Sequence, residues 1–212
     1  MAEVFGGELG CSKVKASQLT LMFRIVLHVF LLGLITLVVS GQEIDVQADD
    51  YICWSEERRL EWEDFQGPLD SIMTYLGVLG TAGTASEIRV TPYFDGQHFN
   101  YEVRNVFNKK RSWTIVYDSL HLSHEQLHFD ISELYARKIR LLLEKGKLEG
   151  LAHEELVDGV KRLLGDLNQY QNTYDRSTAH GTIDFMEEEW NEKIKNELEE
   201  LKDYASTLED CG

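Results

Sequence analysis

The 212-residue chain is short of basic residues: 21 Lys and Arg stand against 37 Asp and Glu, for a formal net charge of −16 at pH 7. No basic patch is there to neutralise phosphates, which speaks against nucleic acid as a partner. Cysteine is scarce too, with three in all. Cys53 and Cys211 match no metal-site spacing, and neither is a credible nucleophile. They read as two unrelated thiols, able to pair only in an oxidising compartment. Internal repeats and low-complexity segments are absent. Apolar residues at 43% and charged residues at 27% give the composition of a globular chain, long enough for one domain with one sizeable core.

Long apolar runs are rare as well, and the single one is N-terminal. It extends from Ile25 to Val39, broken only by His28 and Gly33, with Arg24 just ahead and Ser40-Gly41 at its exit. A positive residue, an apolar stretch and then small residues read as a secretory signal peptide ending near residue 41. A start at Met22 would give that peptide a conventional length, so residues 1–21 read as an over-extended start. The rival reading is an uncleaved signal anchor, since Leu19 to Val39 is about 20 residues, enough to span a bilayer. The Ser-Gly-Gln exit favours cleavage. No cysteine follows the run, which removes a lipoprotein anchor. The protein is therefore expected to be secreted or periplasmic, touching a membrane only where residues 22–39 are retained as an anchor.

The remainder, 50–205, reads as a single domain whose two halves differ in texture. Residues 50–116 are rich in β-branched and aromatic residues. YICWS suggests a strand, and EIRVTPYF and QHFNYEVRNVF around Asp95-Gly96 suggest a hairpin, because Asp-Gly supplies the positive φ of a tight turn. RSWTIVY suggests one more strand. From Asp118 onward the pattern is helical. A first helix is expected over Ser119–Lys145, with Asp118 or Ser119 as its N-cap and Gly146 near its end. A second covers His153–Ser177 with the stripe Leu156, Val160, Leu163, Leu167, Tyr170 and Tyr174, and a third opens at Thr182. Strands first and helices afterwards predict an α+β fold, a small antiparallel sheet followed by three long helices.

His124, Glu125 and His128 lie within the first helix as H-E-x-x-H. Positions four apart differ by about 40° in azimuth, so both imidazoles reach one metal ion from one face. Glu125 stands about 100° round from His124 and flanks such a metal without ligating it. That is the arrangement in which a glutamate takes a proton from zinc-bound water. The bland reading is a capped or surface histidine pair. Against it, the pair shares a face with Leu120, Leu127 and Ile131, and buried neutral imidazoles without partners are costly.

Zinc requires a third protein ligand. The extended form H-E-x-x-H-x-x-G-x-x-H is absent, because Ile131 and Leu134 occupy the Gly and His positions. Glu154, with Asp158 four residues on, is explained better as helix capping. YDRSTAHG, residues 174–181, is the stronger region. Either His180 or Asp175 could ligate there, and imidazole being the commoner ligand favours His180, with Asp175 orienting it. In the bland reading, Asp175, Thr178 and His180 only cap helix ends.

RRLEWEDFQGP, SWTIVYDSLHLSHEQLHFDISELYARKIR and YDRSTAHGTIDFMEEEW together resemble, in order, the motifs of a family of bacterial secreted proteins. That family, long catalogued as a domain of unknown function, is described as predicted zinc-dependent proteases. HEQ-x-HFDI falls on His124 to Ile131, and YD-x-x-T-x-HG on Tyr174 to Gly181, with Ser177 where members often have Glu. The resemblance implies a zincin-like fold with HExxH on the first long helix and metalloprotease chemistry. The expected function is thus a secreted zinc metallopeptidase acting on a peptide or protein substrate. Its metal ligands would be His124, His128 and His180 (or Asp175) and its base Glu125; Tyr174 and His121 lie near enough in sequence to steady an oxyanion, but core packing for Tyr174 and first-turn exposure for His121 explain them better. An extended substrate would pair with the strand at 99–107. The alternative is a non-catalytic, zinc-stabilised binding module of the cell envelope. The four tryptophans, Trp54, Trp62, Trp113 and Trp190, read as core and interface anchors.

Overall fold

A computed structural model describes residues 50–69 and 80–206. Its elements follow the expected order, strands first and helices after: β1 (Tyr51–Cys53), β2 (Ala82–Gly83), β3 (Ser86–Phe94), β4 (Phe99–Asn108), β5 (Trp113–Thr114), then α1 (Ser119–Glu149), α2 (His153–Thr178) and α3 (Asp184–Glu200). The fold is α+β. The N-terminal apolar run lies outside the described residues, and among those described no helix is long and apolar enough to cross a membrane.

β3 and β4 form the expected hairpin, in register from Ser86↔Phe107 to Phe94↔Phe99. Gly96 takes φ +95°, while the Asp95 carboxylate accepts the amides of Gln97 (2.8 Å) and His98 (2.7 Å), so side chain and backbone together close the turn. The sheet order is β1-β4-β3, all antiparallel. β4 is therefore central, which corrects the expectation that residues 99–107 offer a free edge. β3 covers one side of β4, β1 covers the other at Val106–Asn108, and Arg140 donates to the Val103 carbonyl across 2.8 Å. β2 and β5 make a separate two-stranded ribbon through Ala82↔Thr114 and Gly83↔Trp113.

Helix α1 is the spine. Asp118 caps it by accepting the His121 amide, and Gly150 ends it in the left-handed region at φ +73°. It runs past the expected end at Lys145. Gly146 serves packing instead of termination, for a Cβ there would collide with Leu156 Cδ2 of α2. Around α1 the apolar side chains divide by direction. Leu127, Ile131, Leu134 and Tyr135 meet Tyr174 of α2 and Trp190 and Ile194 of α3. Phe129 meets Phe107, Phe65, Leu60 and Trp54. Ala136, Ile139 and Leu143 meet Val103 and Leu156. Each fully buried aliphatic or aromatic side chain contributes about 1.5–3 kcal/mol by leaving water, so a helix buried on three sides fixes its own rotation. The tryptophans anchor as expected: Trp54 Nε1 donates to Asp130 (2.7 Å) and Trp190 Nε1 to Ser177 Oγ (2.7 Å). Cys53 is disulfide-bonded, which corrects its reading as an unrelated thiol; its partner cysteine lies outside the described residues.

Candidate metal centre

The second and third turns of α1 present His124 and His128 to α2, where Asp175 faces them one turn from the helix end. His124 Nε2 and His128 Nε2 are 3.1 Å apart, and Asp175 Oδ1 lies 3.2 Å from the first and 2.9 Å from the second. His124, His128 and Asp175 form a group able to hold a metal ion, the one such group among the described residues. His180 is not in it. Its Nδ1 sits 3.5 Å from Asp175 Oδ1, the oxygen that also faces the two histidines, and it lines the same cleft with 67% of its side chain exposed. Asp175, the alternative third ligand in the sequence, completes the group. Glu154 stands in the exposed first turn of α2 and Asp158 pairs with Lys161 at the surface, so neither takes part.

The remaining ring nitrogens fix the chemistry of the site. His124 Nδ1–H donates to Glu187 Oε1 of α3 over 2.8 Å. Gln171 donates its amide to the His128 carbonyl at 3.0 Å, which turns its oxygen toward His128 Nδ1 and requires a proton there. With Nδ1 of each ring committed as a donor, both Nε2 atoms face a carboxylate oxygen. Nε2, Nε2 and Oδ1 converge on one point, which a proton on His124 or a metal cation in its place reconciles. Their spacing suits zinc, because bonds of 2.0–2.1 Å in a tetrahedron separate ligand atoms by about 3.3 Å. Nitrogen–nitrogen–oxygen donor sets of this kind are ordinary zinc ligands. The residues fit the metal.

Protonation follows the same logic. Burial by itself disfavours a charged His124, but its contacts with Asp175 and Glu187 and the charge of Glu125 outweigh burial, and its pKa is pushed up to about 9. Burial opposes ionisation of Asp175 too, yet the two imidazoles hold it well below the usual carboxylate range. Glu187 is lowered likewise, with burial overcome by His124 and Tyr174. Tyr174 donates its hydroxyl to Glu187 Oε2 at 2.6 Å and stacks on the His124 ring, 4.6 Å between centroids. Burial and Glu187 raise the Tyr174 pKa far above its ordinary value. Its hydroxyl is thus committed to the interior. His121 is held by the Asp118 carboxylate at 2.8 Å and does not line the cleft. Neither residue is free to steady an oxyanion.

The turn joining α2 and α3 is backbone-strained. Ala179, His180 and Gly181 follow one another with φ +48°, +55° and +82°. A Cβ on Gly181 would stand 3.0 Å from both Cβ and Cγ of His124, so glycine is what lets this turn lie on the imidazole. The centre opens into a cleft of about 520 Å³. One wall is the small-residue stretch Gly80–Ser86, the other is Leu167, Asn168 and Gln171, and Glu125 lies on the floor beside the histidines. Thr84 Oγ1 donates to the Glu125 carbonyl at 3.0 Å. Glu125 is itself 5% exposed, and its Oε2 has no hydrogen-bond partner.

Two supporting residues were not singled out in the sequence. Glu187 lies within YDRSTAHGTIDFMEEEW as the first of three successive glutamates, and Gln171 carries no signal. Both were findable only as polar residues on the inward stripe of an amphipathic helix.

An α+β chain with two histidines on its first long helix and a carboxylate on its second, grouped so that they could hold a metal ion, is the class so defined. Residues 102–181, which hold that centre, match the family described as "Bacterial protein of unknown function (DUF922)". No curated protein and no solved structure matches the chain.

Proposed function

We propose that the protein is a zinc-dependent peptidase working outside the cytoplasm. The observation that carries this reading is Glu125 Oε2, buried and without a partner on the floor of the cleft that holds His124, His128 and Asp175. A purely structural metal site has no use for an unsatisfied carboxylate there, since leaving a buried acceptor unpaired costs about 1–3 kcal/mol. A general base does have that use. His124, His128 and Asp175 would hold zinc, which when bound acidifies a water and polarises a carbonyl. Glu125 would accept a proton from a water attacking the peptide carbonyl and pass it to the departing amine. Glu187 and Gln171 keep both imidazoles in the tautomer that points Nε2 at the metal.

The wall Thr81–Ala85 takes over the substrate-pairing role expected of 99–107. It is bonded on one side to the segment 112–115, through Ile115 N to Thr81 O (2.9 Å) and Ala85 N to Ser112 Oγ (2.9 Å), and it borders the cleft. An extended peptide laid along it would pass over the histidines. The disulfide at Cys53 supports an oxidising compartment, in line with the N-terminal segment as signal or anchor.

Glu125→Ala tests the reading. The variant is expected to keep one zinc per chain and to lose about 10²–10⁴-fold in peptide hydrolysis, the range of a general base. Unchanged turnover would remove Glu125 from the chemistry.

A further inference from the structure

We propose that the cleft selects peptides carrying an internal carboxylate side chain, and that Arg111 is the residue that recognises it; this rests on the peptidase reading above. Among the residues lining the cleft, the lasting charges are Glu125, Asp175 and Arg111. Asp175 is occupied by the histidines, and Glu125 is buried. Arg111 is the one fixed cation of the lining, and 70% of its side chain is exposed.

The guanidinium is only partly neutralised. Arg111 Nη1 donates to Glu87 Oε1 across 3.2 Å, and Asn108 Nδ2 donates to the same oxygen at 3.2 Å. The other oxygen, Oε2, accepts from Arg89 Nη2 at 3.1 Å. One carboxylate shared by two guanidiniums leaves one positive charge in excess. The remaining donors of Arg111 meet no protein acceptor among the described residues. In a chain of net charge −16 the overall field repels an anion, so a local cation has to retain it.

The arginine also stands on a firm base. Its amide donates to Asn108 Oδ1 (3.1 Å), and Ser112 donates to the Asn108 carbonyl through both N (3.0 Å) and Oγ (2.8 Å). Gly67 closes against this turn so tightly that a Cβ would lie 2.8 Å from the Ser112 carbonyl oxygen. The turn is bonded to the wall at Ala85, while Thr84 marks the position of Glu125. Arg111 flanks the wall along which an extended peptide would lie. Arg111 is thus a specificity residue for an acidic side chain, paired to it by a charge-assisted hydrogen bond.

The test reads binding, so that it does not depend on turnover. Zinc-loaded Glu125→Ala protein, as the full chain, is titrated with neutral heptapeptides in which one Asp is walked through every position, and with one whose only carboxylate is its C-terminus. Binding about three- to tenfold tighter is expected for one Asp position over its Ala counterpart, the size of an exposed to half-buried charge pair. The preference should vanish with added Arg111→Ala and pass to Lys with Arg111→Glu. Equal affinity at every position, no measurable binding of any peptide, or a preference that survives Arg111→Ala would each overturn the assignment. Tightest binding of the terminal carboxylate would recast the selected group as the chain end, against the internal position stated here. Selective binding with no hydrolysis of the best peptide by the wild-type chain would uphold Arg111 and overturn the peptidase reading.

Discussion

The Nδ1–H of His124 is bonded to Glu187 across 2.8 Å, so a carboxylate of α3 orients a ligand of α1 that lies 63 residues earlier in the chain. Tyr174 of α2 completes the junction by donating to the other oxygen of the same carboxylate. All three helices are thereby fastened at the candidate metal centre. The consequence is that site geometry and helix packing are one quantity here, and a change at Glu187 acts on both.

Glu187→Gln should keep the fold and weaken zinc binding about 10- to 100-fold, the usual effect of losing the partner of a ligating histidine. Competition with a chromophoric chelator measures this. An unchanged affinity would show that packing alone orients His124. Glu187→Ala should do more, since it strands both His124 Nδ1–H and the Tyr174 hydroxyl in the interior.

Much of this was legible in the chain. An i, i+4 histidine pair is local, and helix geometry alone brings it together, so His124 and His128 needed no tertiary knowledge. Asp175 and His180 were singled out by a short motif, but which of them faces the histidines depends on the left-handed turn at 179–181, and propensity does not foresee two non-glycine residues there. The end of α1 was misplaced because a glycine within a helical pattern reads as a stop, whereas Gly146 is there to admit Leu156. The role of β4 was misassigned because strand order is a long-range property, set by what packs on each edge and not by the strand's own alternation.

Metal content separates the ligands. His124→Ala, His128→Ala and Asp175→Ala should each lose the bound zinc, read by elemental analysis after desalting. His180→Ala should keep it, because that imidazole is largely exposed and falls outside the group of three. Loss of zinc from His180→Ala with retention in Asp175→Ala would reverse their assignments.

The pH dependence of the metal-free protein has a definite sign. The His124 pKa is raised from 6.5 to about 9, so the stability contributed by its proton is present in full below about 6.5 and is lost as pH rises through about 9. Asp175 and Glu187 are lowered from 3.8 and 4.5, so their contribution is present above those values and fades as pH falls below them. With a chelator present, Tm should hold between about pH 4.5 and 6.5 and then decline toward pH 9. Zinc must displace the His124 proton, so its affinity should climb about tenfold per pH unit from about pH 6.5 and level off as pH approaches 9. A flat Tm from pH 6.5 to 9 in chelator would mean that His124 holds no such proton.

Gly181 allows a steric prediction with an internal control. It has φ +82°, and a Cβ there would press on His124 at 3.0 Å; Gly150 has φ +73° and nothing within 4 Å of an added Cβ. Alanine at either position meets the left-handed penalty of about 1–2 kcal/mol. For a domain of this size that is a Tm loss of roughly 2–8 °C. Only at 181 does the new methyl also displace a metal ligand. Gly150→Ala should therefore lose stability and bind zinc as the wild type does, while Gly181→Ala should lose stability and zinc affinity together. Equal zinc affinity in the two variants would mean that the 179–181 turn yields before His124 does, and the turn would then be a passive neighbour of the centre and not part of what shapes it.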